Sequence, residues 1–280
     1  MILIADCGST KTDWCVVREG IVEKQVFTCG MNAVMLTEEE MRSRMAAELV
    51  PELECYADAI EAVYFYGAGC ISPEVCANVE RAIRASINAQ DVEVHTDLLA
   101  AARALCGRRP GIACILGTGS NSCFYDGEKI CDNVSPLGYI LGDEGSGAVL
   151  GKLLVGDVLK GQLPAELCEK FLRKYDLTML DIIRKVYREP QGNRFLASVT
   201  PFLIENINEK EVHDLVLGSF KAFFRRNISH YAGRCAPEVN FIGSIAYYYR
   251  DVLAEAAREC GYSVGTVLKS PMEGLIKFHS

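Results

Sequence analysis

The stretch MILIADCGSTKTDWCVV (residues 1–17) decides how the rest of this sequence is interpreted. An apolar run leads into Asp6, a short polar turn follows, and a second apolar run ends at Val17. This pattern predicts two strands joined by a tight hairpin, with a carboxylate at the end of the first strand. Asp6 could hold a hydrated Mg²⁺, which prefers oxygen ligands, and the turn could bind phosphate through its N–H groups and hydroxyls. An ordinary hairpin turn is the alternative. The candidate phosphate-binding residues of this turn are Gly8, Ser9, Thr10, Lys11 and Thr12.

The composition narrows the class of protein. The chain has 280 residues, half of them hydrophobic, and a formal net charge of -8, which gives no general electrostatic reason to bind nucleic acid or an anionic membrane. The apolar runs are shorter than the roughly 18 residues of a membrane span, and Asp6 interrupts the first run too early for a signal peptide. The thirteen cysteines are scattered without a C-x-x-C pair, so most are expected to be small buried side chains in a reducing cytoplasm. With only four histidines, a His/Cys zinc site is not expected.

The order of predicted elements indicates two related domains. Strands and helices alternate over the first hundred residues. The pattern predicts a tight turn at Glu19-Gly20, a capping box of Thr37 with Glu40 and an N-cap at Ser72. GIACILGTGSNSCFY (residues 111–125) then repeats the opening pattern of strand, small polar turn and strand, and a helix is predicted over about 245–260. A spacing of about 110 residues is too long for a solenoid repeat and suits two domains that each open with a hairpin. We therefore predict an N-terminal domain over residues 1–100, rejoined by the segment 270–280. The second domain spans residues 101–269, includes a helical insertion, and is expected to pack against the first around a cleft.

Three further clusters suggest ligand binding. GTGSN (117–121) allows backbone to approach a ligand closely, although it matches neither the P-loop nor the Rossmann pattern. GDEGS (142–146) places acidic residues among glycines where a helix begins, a position where they can also simply complement the helix dipole. FIGSIA (241–246) ends a buried strand with Gly243 and Ser244 at a helix start.

Asp97 is the one further carboxylate that the pattern singles out. It lies between a predicted strand and an Ala-rich helix, so it is either the N-cap of that helix or a general base.

Taken together, these clusters resemble the superfamily of sugar kinases, Hsp70 and actin. DCGSTKT is similar to its first phosphate motif, LGTGSN to its second and FIGSIA to its adenosine motif. The resemblance implies an α/β fold of two ribonuclease-H-like (actin-like ATPase) domains, each with a mixed five-stranded sheet flanked by helices, and with ATP bound in the cleft between them.

The resemblance is closest to N-acetylglucosamine kinases, in the group that also contains the BadF/BadG/BcrA/BcrD ATPases, and it covers nearly the whole chain. It implies ATP and Mg²⁺ as cofactors, Asp6 as the metal-binding residue, Asp97 as the catalytic base and a homodimer. The residues implied in ATP binding beyond the first turn are Gly117, Thr118, Gly119, Gly243 and Ser244. The residues implied in sugar binding, beside Asp97, are Asn32, Gly69, Ser120, Asn121, Gly138 and Asp143. Mammalian members carry a tryptophan where this chain has Leu137, and the C-terminus is short, with only Gly274 near the position of a small-residue helix start.

The reaction that the resemblance implies is phosphoryl transfer from Mg-ATP to an amino sugar, at the 6-hydroxyl of N-acetylglucosamine. Asp97 would accept the hydroxyl proton, and we expect an ordinary pKa of about 4 for it, so that it is ionised at pH 7. Glucosamine, glucose and N-acetylmuramic acid are alternative substrates. The rival functions are an ATP-driven activator of an iron–sulfur 2-hydroxyacyl-CoA dehydratase system and a non-catalytic nucleotide-binding protein.

Overall fold

The computed structural model describes residues 1–8, 11–234 and 237–280. The chain forms two compact units, Met1–Arg109 with Ser270–Ser280, and Pro110–Lys269. The division falls nine residues after the boundary at residue 100 that the sequence suggested. The reason is that the helix Asp97–Cys106 is one continuous element, so a boundary inside it cannot separate two packed bodies.

The first unit contains a mixed five-stranded sheet of order β3-β2-β1-β4-β5. The three strands nearest the N-terminus pair antiparallel, whereas β4 and β5 continue the sheet in parallel with β1. The β2–β3 turn uses Glu19 and Gly20, both with positive φ (49° and 79°). Positive φ at both central residues lets a two-residue turn match the right-handed twist of the strands that it joins. The strands are β1 (Ile2–Cys7), β2 (Lys11–Arg18), β3 (Ile21–Cys29), β4 (Ala62–Gly67) and β5 (Asp91–Thr96).

Helices cover both faces of this sheet. The predicted capping box is confirmed, since Thr37 accepts the Glu40 N–H while the Glu40 side chain accepts the Thr37 N–H. Ser72 likewise caps its helix by accepting the Val75 N–H, as predicted. A π-helical turn (Met45–Leu49) and a 3₁₀ segment (Glu54–Ala59) join the shorter pieces. The α-helices of this unit are α1 (Glu38–Arg44), α2 (Val50–Leu53), α3 (Pro73–Ser86), α4 (Asp97–Cys106) and, at the C-terminus, a helix over Met272–His279.

The C-terminal helix packs on the sheet face that also carries α4. Its Met272 and Leu275 join a buried cluster with Ile4 of β1 and Ala100 of α4. Gly274 allows this approach, because a Cβ there would lie 2.4 Å from the carbonyl oxygen of Ala104. The short terminal segment is therefore a packed helix.

The second unit repeats the sheet of the first, with order β10-β9-β6-β7-β8. Its hairpin strands again pair antiparallel, and β9 and β10 again extend the sheet in parallel from the first strand of the unit. Two mixed five-stranded sheets with the same strand pattern confirm the predicted fold class. The strands are β6 (Gly111–Leu116), β7 (Ser120–Tyr125), β8 (Ile130–Val134), β9 (Glu238–Ile242) and β10 (Ser263–Leu268).

The helices of the second unit bury a large apolar core against the sheet. The helix predicted over about 245–260 is two helices, because the chain breaks at Tyr249, whose ring is buried and whose hydroxyl donates to the Thr200 carbonyl (2.6 Å). A 3₁₀ turn covers Ile228–Tyr231. The α-helices are α5 (Gly138–Leu141), α6 (Gly147–Leu159), α7 (Ala165–Tyr175), α8 (Met179–Tyr187), α9 (Gly192–Ser198), α10 (Pro201–Glu205), α11 (Lys210–Arg226), α12 (Ser244–Tyr248) and α13 (Arg250–Glu259), and the C-terminal helix is α14. Within the described ranges, every helix is too short or too polar to cross a membrane.

Candidate active site

The first turn is closed by a hydrogen bond from the Gly8 N–H to the Lys11 carbonyl (3.0 Å), directly after Asp6 and Cys7 end β1. The predictions for Ser9 and Thr10 fall outside the described residues. Lys11 is exposed, and its ammonium group lies 4.8 Å from the centre of the Phe27 ring.

The surroundings of Thr12 differ from the expectation that its hydroxyl contacts phosphate. The residue is fully buried, and its hydroxyl points to the Cys7 sulfur (3.1 Å) and the Cys29 carbonyl (3.3 Å). Thr12 is a β2 residue paired with Cys7 in β1, so its side chain lies inside the sheet packing rather than at the tip of the turn. The Thr12 hydroxyl therefore links the end of β1 to β3 beside the turn.

Asp97 is the first residue of α4, and Thr96 is the N-cap, since the Thr96 hydroxyl accepts the Leu99 N–H (3.1 Å). The alternative that Asp97 is merely the cap of this helix is therefore wrong. A carboxylate in the first helical turn is stabilised by the free N–H groups there. Asp97 is thus positioned by the end of β5 and by the start of a helix that another residue caps.

Asp6 and Asp97 are electrostatically coupled. Burial and, after it, the negative charges of Asp97 and Asp13 raise the pKa of Asp6 to about 7, while the positive charge of Lys11 opposes the shift. Burial also raises the pKa of Asp97, an effect that the N–H groups of Leu98 and Asp97 partly offset. The expectation of an ordinary pKa for Asp97 is therefore wrong, because the sequence does not reveal its desolvation. A raised pKa suits a general base that works near neutral pH.

Two loops of the first unit bring Asn32 and Gly69 together. The Asn32 side-chain oxygen accepts the Val34 N–H (3.1 Å), which fixes the loop that follows β3. Gly69 has a φ of +88°, and a Cβ added to it would lie 2.5 Å from that same oxygen. Only glycine permits both the backbone conformation and the close approach.

We expect Gly69→Ala to lower the stability of the protein by about 1–3 kcal/mol and to displace Asn32, because it combines left-handed strain with a steric clash. Thermal unfolding measures the first effect, and the KM for the sugar that the family resemblance implies measures the second. Gly107→Ala is the matched control, since Gly107 also has a positive φ (61°) but open space around its Cβ position. Equal effects of the two substitutions on KM would contradict a role for the Gly69–Asn32 contact.

The GTG turn of the second unit joins β6 to β7 and connects to the start of α6. The Gly117 N–H donates to the Gly119 carbonyl (2.9 Å), and the carbonyl groups of Gly117 and Thr118 accept from the Gly147 and Ala148 N–H groups. These bonds hold the turn at a helix N-terminus and leave Thr118 exposed. Exposed backbone and hydroxyl groups at such a position can bind phosphate.

Asp143 lies against this turn. A Cβ on Gly119 would be 3.2 Å from the Asp143 carboxylate, and the backbone of Asp143 is left-handed (φ 54°) with its N–H bonded to the Pro136 carbonyl. Burial raises the pKa of Asp143 to about 6, while hydrogen bonds from the N–H groups of Ser120 and Gly138 oppose the shift. The structure thus brings Gly119, Ser120, Gly138 and Asp143 together.

Asn121 has a structural role in the same sheet. Its side-chain oxygen accepts from the Ser122 N–H (2.9 Å) and from the Asn133 amide (2.8 Å). These bonds tie β7 to β8 and hold the Asn121 side chain in one orientation.

The turn at Gly243 and Ser244 contacts the GTG turn. Gly243 has a φ of +117°, and a Cβ there would lie 2.4 Å from the Leu116 carbonyl oxygen. Two motifs that are more than 120 residues apart in the sequence therefore meet at one end of the second sheet, where β6 and β9 lie side by side.

A crystal structure of a candidate N-acetylglucosamine kinase from Porphyromonas gingivalis matches this chain with a TM-score of 0.96. The two sequences are 50% identical, and the match covers 100% of this chain and 98% of the other. This chain belongs to the N-acetylglucosamine kinase-like family of sugar kinases. It is therefore an enzyme of the phosphotransferase class that uses a sugar as acceptor.

More distant structures show the fold. A candidate N-acetylglucosamine kinase from Chromobacterium violaceum matches with a TM-score of 0.76 at 16% identity, over 100% of this chain and 99% of the other. A ROK family glucokinase from Streptomyces griseus, solved with glucose and AMPPNP, matches with a TM-score of 0.62 at 16% identity, over 99% and 97%. The sugar kinase therefore has the actin-like ATPase fold. No protein-family model and no curated protein sequence matches this chain.

The kinase contains a cavity of about 460 Å³ that the sequence did not reveal. One wall is the Ser244 end of α12 with Tyr248 and Tyr249, and the other comes from the junction of α9 and α10. Nothing in the local pattern of the helical segment distinguishes these residues from ordinary helix-end residues. The α9–α10 residues that line the cavity are Ala197, Ser198, Thr200, Pro201 and Ile204.

Side chains alone do not form a metal cage in the described part of this kinase. No three His, Cys, Asp or Glu side chains there lie close enough to hold one metal ion together.

Proposed function

We propose that this kinase transfers the γ-phosphoryl group of Mg-ATP to the 6-hydroxyl of N-acetylglucosamine, with Asp97 as general base. The observation that carries the proposal is the 50% identity over the full chain to a candidate N-acetylglucosamine kinase. Asp97 supports the proposal independently, because Thr96 rather than Asp97 caps α4, and because burial raises the pKa of the Asp97 carboxyl and makes it a better proton acceptor.

Asp97 removes the proton of the sugar hydroxyl as the hydroxyl oxygen attacks the phosphorus. General-base catalysis of this kind is typically worth 10²–10⁴-fold in rate. The helix N-terminus at α4 stabilises the carboxylate before the reaction, while burial keeps it basic enough to accept the proton. The remaining acceleration comes from positioning and from charge neutralisation at the phosphates.

Mg²⁺ fits the first unit. The pKa of Asp6 is raised by burial and by two neighbouring carboxylates, Asp97 and Asp13, so a cation near Asp6 relieves the repulsion among them. We propose that Asp6 holds the hydrated ion. When bound, the ion neutralises the negative charge of the phosphate oxygens.

We propose that two hairpin turns, at Gly8–Lys11 and at 117–119, bind the phosphates through their backbone N–H groups. The cavity beside Ser244 is the proposed adenosine pocket. Its size and mainly apolar lining suit a nucleoside, and the hydroxyls of Ser198, Thr200 and Tyr248 offer polar contacts. The pocket contains no charged side chain among its lining residues.

Asp143 is the proposed acceptor for a sugar hydroxyl, and we expect its ionisation to control sugar affinity. Because its pKa is raised to about 6, the carboxylate form is present above pH 6 and is lost as the pH falls through that value. The affinity for N-acetylglucosamine should therefore decline below pH 6. Asp143→Asn should weaken binding at pH 7.5 by about ten-fold or more, the worth of a hydrogen bond to a charged group, and should flatten the decline. Calorimetric titration with sugar between pH 5 and 8 measures both effects. An unchanged pH dependence in the variant would remove Asp143 from the sugar site.

The function itself is tested by an assay of ADP release with Mg-ATP and a panel of hexoses and amino sugars. Turnover with N-acetylglucosamine well above that with glucosamine, glucose and N-acetylmuramic acid is the expected result. These sugars differ by small groups, and one apolar contact discriminates by only about 1–3 kcal/mol, so a preference rather than absolute exclusion is expected. No turnover with any sugar, in a protein that still binds ATP, would overturn the proposal.

A further inference from the structure

Asp13 lies directly opposite Asp6 in the sheet. The β1–β2 register pairs these two residues, and residues directly opposite each other project from the same face with Cβ atoms about 4.5–5.5 Å apart. The two strands therefore place two carboxylates side by side, on the sheet face that α4 and α14 cover. Neither composition nor the hairpin pattern explains why the second position is acidic.

The Asp13 side chain is buried and held in place. It is only 8% exposed, and the Gln25 amide donates to both of its oxygens, at 2.9 and 3.1 Å. Among the residues that the structure describes, no Lys, Arg or His lies within ion-pair distance of Asp13. The carboxylate is thus fixed by a neutral donor, and no cationic side chain in the described part of the chain forms an ion pair with it.

This arrangement is unfavourable without a positive ligand. Like charges directly opposite each other in a sheet are destabilising, and burial strengthens their repulsion. An uncharged residue at position 13 would remove this repulsion and would leave β2 intact. A divalent cation beside Asp6 would convert the repulsion into attraction to a common ion.

We propose that Asp13 is a positioning residue of the Mg²⁺–nucleotide site. The negative charge of Asp13, held in place by Gln25, raises the affinity of Asp6 for the hydrated ion. This inference rests on the proposed function, in which Asp6 holds Mg²⁺. Residues that support a metal site from outside its inner ligands typically contribute 10–100-fold to metal affinity or activity.

The test compares the wild-type protein with Asp13→Asn, a nearly isosteric change that Gln25 can still hydrogen-bond. ADP binding is measured by calorimetry at a series of Mg²⁺ concentrations and in the presence of EDTA. We expect the Mg²⁺ concentration for half-maximal enhancement of ADP binding to rise about ten-fold or more. Binding of metal-free ADP should improve or stay the same, because a negative charge has been removed near the phosphates. The thermal stability of the ligand-free protein should not fall.

Two further variants separate this role from a structural one. Gln25→Leu removes the donor but keeps the charge, so it should shift the Mg²⁺ dependence by less than Asp13→Asn does. Glu23→Gln removes a negative charge from an exposed position of the neighbouring strand β3 and should leave the Mg²⁺ dependence unchanged. An unshifted Mg²⁺ dependence in Asp13→Asn would overturn the inference, whatever happens to stability.

The experiment distinguishes a failure of the proposed function from a failure of the inference about Asp13. If the protein binds ADP with Mg²⁺ but phosphorylates no sugar, the sugar kinase proposal is overturned, and the Mg²⁺ comparison still decides the role of Asp13. If the protein binds no ADP at any Mg²⁺ concentration, both proposals are overturned.

Discussion

Asp97→Asn should lower kcat for sugar phosphorylation by about 10²–10⁴-fold while leaving ATP binding nearly unchanged. The substitution keeps the shape of the side chain but removes its ability to accept a proton. The α4 start should survive, because Thr96 rather than Asp97 caps the helix. Steady-state kinetics with N-acetylglucosamine and calorimetric binding of ATP measure the two quantities separately.

The control for this variant is Asp181→Asn. Asp181 also lies in a first helical turn, at the start of α8, where it forms an exposed capping box with Thr178. We expect its replacement to reduce stability slightly and to leave kcat within a factor of about two. Turnover by Asp97→Asn within ten-fold of the wild-type rate would refute the assignment of Asp97 as the base.

Asp6→Asn should abolish sugar phosphorylation and at the same time make the protein more stable. The folded state raises the pKa of Asp6 from 3.8 to about 7, mainly through burial and then through the charges of Asp97 and Asp13. Each pKa unit corresponds to about 1.4 kcal/mol, so the ionised carboxylate costs about 4 kcal/mol at alkaline pH. A neutral asparagine should recover about 2–3 kcal/mol of this, which corresponds to an increase in Tm of about 5 °C or more.

The sign of the pH dependence follows from the same shift. Between about pH 4 and pH 7 the folded protein holds a proton on Asp6 that the unfolded chain has released, so the free energy of unfolding falls as the pH rises through this window. The Asp6→Asn variant lacks this contribution, and its stability advantage should therefore be small at pH 4 and largest above pH 7. Thermal unfolding of the ligand-free protein from pH 4 to pH 8.5 measures the difference.

Asp91→Asn is the matched control for Asp6→Asn. Asp91 is an exposed strand residue in the same unit, and its replacement should change neither activity nor the pH dependence of Tm appreciably. A Tm for Asp6→Asn equal to or below that of the wild type above pH 7 would show that the buried carboxylate is not a source of strain. Retained activity would remove Asp6 from the metal site.

Much of the secondary structure around the site is determined locally and was therefore predictable. The hairpins, the capping boxes and the glycine turns depend on residues within about four positions of each other. The capped start of α1 at Thr37 and the Glu19–Gly20 turn are examples, and both are confirmed. The same is true of the repeat of strand, polar turn and strand, which predicted two related domains, whereas the fold class followed from the family resemblance.

The properties that depend on distant residues could not be predicted in this way. Thr12 lies in the first motif, but its hydroxyl is buried and donates to the Cys29 carbonyl on a different strand. The cavity beside Ser244 needs the junction of α9 and α10, whose sequence carries no local mark of a binding site. The raised pKa of Asp97 reflects desolvation by everything packed around it.

Local sequence patterns were enough to predict the two related units, the turns that end their first strands, and the candidate carboxylates Asp6, Asp97 and Asp143. The groups that surround those carboxylates, and hence which carboxylates are costly to ionise, follow from the folded arrangement alone. The register of β1 and β2 placed Asp13 beside Asp6, and the packing of α4 and α14 covered that face. Local propensity sets the backbone, whereas desolvation and Coulomb energy are sums over all neighbours in space, which the order of residues along the chain does not specify.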